Sequence, residues 1–164
     1  MSLGEKKTVT FDIRHPCFPT PILVTPGQRF KLTVSANAKG ETDAKCAADA
    51  ERQWCDASIP AGSGGVARED ETWGMRLLRF LKRHPTGYLQ PMVAVAPGEG
   101  SAWSDAVAVP TASAAPSDML EAKRRGRLFL YVNDAVCAVC TREFVDIFYR
   151  NNQGAADVTI VRME

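Results

Sequence analysis

The sequence has little of what marks a nucleic-acid, membrane or cofactor protein. Neither sign of charge dominates, with 20 Lys and Arg against 19 Asp and Glu. No basic field is therefore present to draw a polyanion or an anionic lipid surface, and nucleic acid is not an expected partner. No run of 18 apolar residues occurs, which argues against a helix that spans a bilayer. The chain shows no charged n-region followed by an apolar h-region. Met1-Ser2-Leu3 reads instead as a start left once an upstream leader or anchor is gone.

Catalytic signatures are scarce too. The two histidines, His15 and His84, are each solitary, and His84 stands next to Pro85, so both read as ordinary turn residues. There is no Gly-x-Ser-x-Gly elbow and no dinucleotide fingerprint. Gly62-Ser63-Gly64-Gly65 lacks the preceding strand and the following Lys-Ser or Lys-Thr of a phosphate cradle, and reads as a flexible surface loop. Glu69-Asp70-Glu71 reads as a solvated turn, and Asp146 is one carboxylate where a glycosidase needs a pair. The expectation is a protein that is not an enzyme.

What is present is a series of short, alternating apolar runs. At 164 residues the chain is long enough for one domain, 1–164, burying about two-thirds of its surface on folding. Val9, Phe11 and Ile13 share one face of a strand over Thr8 to Ile13. Three prolines between His15 and Pro21 are then expected to break regular structure before Ile22-Leu23-Val24. Thr25-Pro26-Gly27-Gln28 is a turn signal, and Phe30, Leu32 and Val34 alternate against Arg29, Lys31, Thr33 and Ser35. A polar face of that kind belongs to an antiparallel sheet with one side in water.

Ala44 to Trp54 suggests a short helix, and Glu71 to Arg83 a helix or long crossover with Met75, Leu78 and Leu81 inward and its arginines solvated, although Met75, Leu77 and Leu81 fit strand alternation almost as well. Tyr88 to Ala96 and Ala102 to Val109 read as strands, and Met119 to Arg125 as one helical turn before Gly126. About seven short strands, punctuated by Pro and Gly and without internal repeats, predict an all-β protein with minor α, an antiparallel β-sandwich.

The last forty residues carry the functional argument. Leu128, Leu130 and Val132 fall on one face of a strand and Phe129 and Tyr131 on the other, so this should be an inner strand packed on both sides. It ends in Asn133-Asp134, a carboxylate at the strand's mouth. After a loop come Asn151-Asn152, the turn residue Gly154, and a strand with Ala156, Val158 and Ile160 inward and Asp157 and Thr159 outward. One carboxylate and two amides at two strand ends suit an oxygen-liganded cation such as Ca²⁺. The same residues are also ordinary turn formers, because Asn, Asp and Gly tolerate left-handed backbone and cap their own turns.

Five cysteines add a constraint. Cys46 with Cys55, and Cys137 with Cys140, form two local candidate disulfides with Cys17 left over. Short-loop disulfides imply an oxidising compartment, periplasmic or extracellular. Buried thiols, a zinc site or a redox CxxC are the alternatives. The eight-residue gap between Cys46 and Cys55 is wrong for a zinc knuckle, and no βαβ unit surrounds the CxxC.

The order Tyr-x-Asn-Asp at 131–134, then Tyr-x-Asn-Asn-x-Gly at 149–154 and an alternating strand, resembles the C-terminal part of the galactophilic, calcium-dependent bacterial lectins and their galactose-binding-like relatives. The resemblance covers residues 127 to 162 and, loosely, the strand from Phe30 to Val34. It implies a non-enzymatic jelly roll whose calcium bridges protein to sugar hydroxyls. Asp134, Asn151 and Asn152 would be side-chain ligands, Phe148 would give a backbone carbonyl, and a further carbonyl would come from within residues 37–43. Ala135 would stand at a small apolar sugar contact beside Asp134 and Asn151. Two departures accompany it. Sixteen residues separate Asp134 from Asn151 and carry the CxxC, and the sugar-contacting loop of the Pro-His-x-x-Gln type has no counterpart. The expectation is a carbohydrate-binding module exported by a bacterium as part of a larger envelope protein. A structural or protein-interaction sandwich that has lost the sugar is the alternative.

Overall fold

Period-two alternation dictates the first sheet. In β1 (Lys6–Asp12), β3 (Arg29–Ala36) and β12 (Ala155–Arg162), the alternate residues Val9 and Phe11, Phe30, Leu32 and Val34, and Ala156, Val158 and Ile160 are apolar and buried. The registers align those residues across the sheet. Val9 stands opposite Val158 and Val158 opposite Val34, while Ile160 faces Leu32. With the short β9 (Leu120–Glu121) the sheet runs β1-β12-β3-β9, antiparallel throughout.

The second sheet is built on β10 (Gly126–Val132), in which Leu128 to Val132 are all buried, as two apolar faces require. Its neighbours are β2 (Phe18–Val24) and β7 (Pro91–Ala96), the latter paired in turn with β8 (Val107–Ala108), giving the order β2-β10-β7-β8. Leu128 pairs with Val95 and Leu130 with Val93. Inward residues of both sheets form one buried apolar cluster, and the Phe11 and Phe18 rings meet at 6.3 Å between β1 and β2. Two antiparallel sheets sharing one interior make this a β-sandwich.

A third, smaller sheet, β11-β4-β5-β6, consists of β4 (Trp54–Asp56), β5 (Ile59–Gly62), β6 (Gly65–Val66) and β11 (Asn152–Gln153). It packs at the C-terminal end of β10, alongside the five-residue α1 (Trp73–Leu77). Three buried aromatic side chains tie this end together by their polar atoms. Trp54 Nε1 donates to Leu89 O at 3.2 Å, the Tyr88 hydroxyl to Met75 O at 2.5 Å, and the Tyr149 hydroxyl to Val132 O at 2.6 Å. Large rings with one satisfied polar tip are suited to such a seam.

The structure, a computed structural model, describes residues 1–36, 54–56, 59–62, 64–77, 79, 85–98, 107–108, 119–134 and 148–164. Several expectations are corrected within that range. The proline-rich stretch breaks regular structure only as far as Cys17, with Pro16 in a turn; β2 then runs through Pro19 and Pro21, which an edge strand tolerates because an N–H on its open side makes no ladder bond. Gly62 and Gly65 pair with each other at the end of the β5–β6 hairpin, and Ser63 lies outside the described residues. Met119 to Arg125 holds no helical turn; Leu120 pairs with Phe30, and Ala122 exchanges backbone bonds with Gly27 and Gln28, which draws the segment into the first sheet.

The strand expected from Tyr88 begins only at Pro91, with Tyr88 and Leu89 in a turn where Leu89 has φ 54°. The helix expected over Glu71 to Arg83 is described only as α1, with Met75 inward as read; Leu78 and Leu81 lie outside the described residues, as does Ala44 to Gln53, while Trp54 opens β4.

Cys17 and Cys55 are both buried and both disulfide-bonded. Cys17 is therefore not left over, and in a chain of five cysteines that leaves room for at most one of the local pairs Cys46–Cys55 and Cys137–Cys140. Cys46, Cys137 and Cys140 lie outside the described residues.

Candidate functional site

Where β10 ends, the chain changes from apolar to polar without leaving the interior: Asn133 and Asp134 are 0 % and 4 % exposed. Asn133 Nδ2 donates to Thr86 O at 3.1 Å, Thr86 Oγ1 at 3.1 Å and Gly87 O at 3.0 Å, and its main chain exchanges bonds with Leu89 and Gln90. This one amide holds the 85–90 segment against the strand end. Asp134 faces the other way, towards β11, and accepts a hydrogen bond from Asn152 Nδ2 at 3.2 Å.

Asn152 is fully buried, and its Oδ1 has no hydrogen-bond partner among the described residues. An unsatisfied buried carbonyl oxygen costs about 1–3 kcal/mol. It persists only where something else compensates, an ordered water or an ion among the candidates. Asn151 does not join Asp134. It is exposed, and its amide donates to Asp56 Oδ1 on β4. Phe148 is half-buried against the apolar cluster, next to Tyr149. Of the expected ligand set, then, Asp134 and Asn152 meet, Asn151 stands one residue away on a different partner, and Phe148 is fixed by packing. Ala135 and residues 37–43 lie outside the described residues.

Asp56 was not legible as a site residue. In sequence it follows Trp54-Cys55 with nothing to mark it. Only the pairing of β4 with β11, Asp56 opposite Asn152, brings a second carboxylate to the cluster. Burial raises its pKa above the ordinary Asp range, and the Asn151 hydrogen bond only partly offsets this. Tyr88 senses the same cluster. Its hydroxyl is pushed up to about 12, first by burial and then by the negative charges of Asp134, Glu71 and Asp56, with Arg79 opposing them.

Glu71 corrects another expectation. It is no solvated turn residue but a buried carboxylate in an ion pair with Arg79. Its neighbours Glu69 and Asp70 are more exposed.

A raised carboxyl pKa has a testable sign. Between the unfolded value, near 3.9, and its higher folded value, Asp56 binds more protons folded than unfolded. It therefore favours the folded state at acid pH, and that contribution is lost as pH rises through the window. Asp56→Asn is expected to flatten this part of the stability–pH curve and to be at least as stable as the wild type at pH 7. Urea midpoints measured from pH 3.5 to 7 check this; identical curves for the two proteins would show that Asp56 is not desolvated.

The donor set is chemically fit for a hard cation. Asp134 supplies a carboxylate and Asn152 an unused amide oxygen, while Asp56, opposite Asn152 in the ladder, has its carboxylate on Asn151. Half a turn of the Asn152 amide exchanges its nitrogen for Oδ1 beside Asp134, an arrangement that repels without a cation and coordinates with one.

No protein-family model matches the chain, and no curated protein does. A solved structure described as "EclA N-terminal domain; PllA-like lectin" aligns over 94% of this chain and 94% of its own, with a TM-score of 0.49 and 12% identity. A likeness of that size assigns neither fold nor ligand, and the strand registers define the sandwich by themselves.

Proposed function

We propose that this protein is a non-catalytic carbohydrate-binding β-sandwich whose site lies where β10 meets β11, with Ca²⁺ held by Asp134 and Asn152 and assisted by Asp56. The observation that carries the reading is the orphaned Asn152 Oδ1 beside a buried carboxylate. A calcium ion satisfies that oxygen and leaves coordination positions for sugar hydroxyls, as the resemblance of residues 127–162 to calcium-dependent lectins implies. Asn151, being exposed, is available to turn from Asp56 to a ligand. Export through an oxidising compartment agrees with disulfide-bonded Cys17 and Cys55.

The second reading, an interaction sandwich without sugar binding, draws support from Asn151, whose amide is engaged by Asp56 and not directed at Asp134. The two readings separate in one experiment, a glycan array run with calcium and with EDTA. Calcium-dependent retention of saccharides supports the first; calcium binding with no glycan on the array supports the second.

The cation has its own test. With carboxylates limited to Asp134 and Asp56, affinity is expected on the order of 10⁻⁴ M, as for extracellular calcium modules. At a hundredfold excess over Kd, linkage adds about 2.7 kcal/mol. For a chain of this size that is roughly 5–10 °C in melting temperature. Asp134→Asn keeps the shape and removes the charge, and should abolish the shift. Protons compete for Asp56, so the calcium effect should weaken as pH falls through its raised pKa. A titration to millimolar calcium that yields neither heat nor a change in Tm rejects the site.

A further inference from the structure

Three arginines converge beside the site and are not used by it. Arg68 lies in the turn after β6, Arg76 in α1 and Arg79 just beyond, and together they line a cavity of about 260 Å³. An adjoining cleft of about 460 Å³ shares Arg68 and Arg79 and continues to Glu71, Thr86 and Gly87. Like charges gathered in one cavity repel unless an anion joins them. Here the acid is insufficient. Glu71 is the ion-pair partner of Arg79, while Arg68 and Arg76 have no carboxylate partner among the described residues.

The geometry is that of a held but open donor group. The Glu71 side chain is 5 % exposed and that of Arg79 42 %, so the buried carboxylate fixes Arg79 from the protein side while its guanidinium remains open to solvent. Arg68 and Arg76 are exposed as well. Planar guanidinium forks match the oxygens of a carboxylate or a sulfate better than any other side chain does. On α1, Trp73 stands three residues before Arg76, on the same helical face, and is 78 % exposed. An open aromatic ring beside a cation offers an apolar face to a sugar ring and a charge to its acidic substituent.

The cleft reaches the same end of β10 as the proposed cation site, while Asp134 itself faces β11. Its Thr86–Gly87 wall is held by the Asn133 amide, the residue before Asp134. The Tyr88 hydroxyl lies within electrostatic range of Asp134 and Asp56 and of Glu71 and Arg79, so the two groups share one end of the sandwich. We infer that the ligand is an anionic saccharide, with its carboxylate or sulfate on Arg68, Arg76 and Arg79 and its hydroxyls at the Asp134–Asn152 end. The inference rests on the carbohydrate reading, which by itself says nothing about charge.

The test uses matched pairs of probes: a hyaluronan oligosaccharide and its carboxyl-reduced form, and dextran sulfate and dextran, each with calcium and with EDTA. Wild type should bind the charged member of at least one pair tenfold or more tightly than the neutral one at low salt, with the difference shrinking as salt rises. Which pair shows the larger ratio distinguishes a carboxylate from a sulfate ligand. The double variant R68Q/R76Q changes two exposed side chains and should fold normally, keep the calcium shift and lose the charge preference. Neutral forms binding as tightly as charged ones, or a preference that survives R68Q/R76Q, overturns the inference and leaves the carbohydrate reading intact. If no saccharide binds at all, the carbohydrate reading falls and with it the saccharide ligand. Inorganic sulfate then decides the arginine cluster alone: a sulfate-dependent rise in Tm that R68Q/R76Q lacks supports an anion site, and no rise overturns it.

Discussion

Gly65→Ala is expected to destabilise the protein by roughly 2–5 kcal/mol and to disturb the end of the molecule that carries the candidate site. Two independent costs fall on one position. Gly65 has φ 90°, a conformation that side-chain-bearing residues rarely adopt. A Cβ placed there would also lie 2.3 Å from Tyr88 O and 3.0 Å from Gln90 N, both backbone atoms that cannot swing aside. Tyr88 O accepts the Val66 N–H at 2.7 Å, so relieving the clash breaks the bond that joins β6 to the 85–90 segment.

That segment is what Asn133 holds, and it forms one wall of the arginine cleft. Gly27→Ala is the matched control. Gly27 has φ 85° but nothing within 4 Å of the added carbon, so only the conformational cost, about 1 kcal/mol, should appear. Urea midpoints for the two variants isolate the steric part. Equal losses would mean that β6 does not approach Tyr88 as closely as the structure has it.

Leu130→Ala is expected to cost about 2–5 kcal/mol, towards the upper end. For a chain of this length that lowers Tm by roughly 5–20 °C. Leu130 is fully buried in a strand flanked on both sides, opposite Val93 of β7 and Phe18 of β2. A strand clamped by two ladders has little room to close over a missing isobutyl group, so the cavity term adds to the lost transfer energy. Leu23→Ala, at a 67 % exposed leucine on the edge strand, should stay within about 0.5 kcal/mol. Thermal unfolding of the pair checks the placement of β10. A loss below 1 kcal/mol at Leu130 would put this strand at an edge and not in the middle of its sheet.

Much of the sandwich was determined locally. Alternation at Val9 and Phe11, at Phe30, Leu32 and Val34, and at Val158 and Ile160 set the buried face of three strands without reference to any partner, because side chains of a strand alternate whatever it pairs with. Two apolar faces at Leu128 to Val132 likewise required cover above and below the sheet, and all five residues are buried. Where local signals were overruled, a ladder bond was the reason. Pro19 and Pro21 lie within a strand because β2 is an edge, and Leu120 is extended because Phe30 stands opposite it.

The site divides along the same line. Asp134 and Asn152 were legible, since each stands at the end of a recognisable strand. That Asn152 would reach Asp134 while Asn151 turned to Asp56 was not, because which of two adjacent amides meets which carboxylate depends on how this segment docks between β4 and the end of β10. Nor could the sequence separate Glu71 from Glu69 and Asp70, three acids in a row of which one is buried and ion-paired. Sequence alone determined which residues had to be inside and that oxygens would gather at the mouth of β10, for both follow from side-chain chemistry and a period of two. Which oxygens face one another, and which arginines stand beside them, was decided only by the tertiary structure, because those contacts join segments up to a hundred residues apart and depend on strand register that no local pattern encodes.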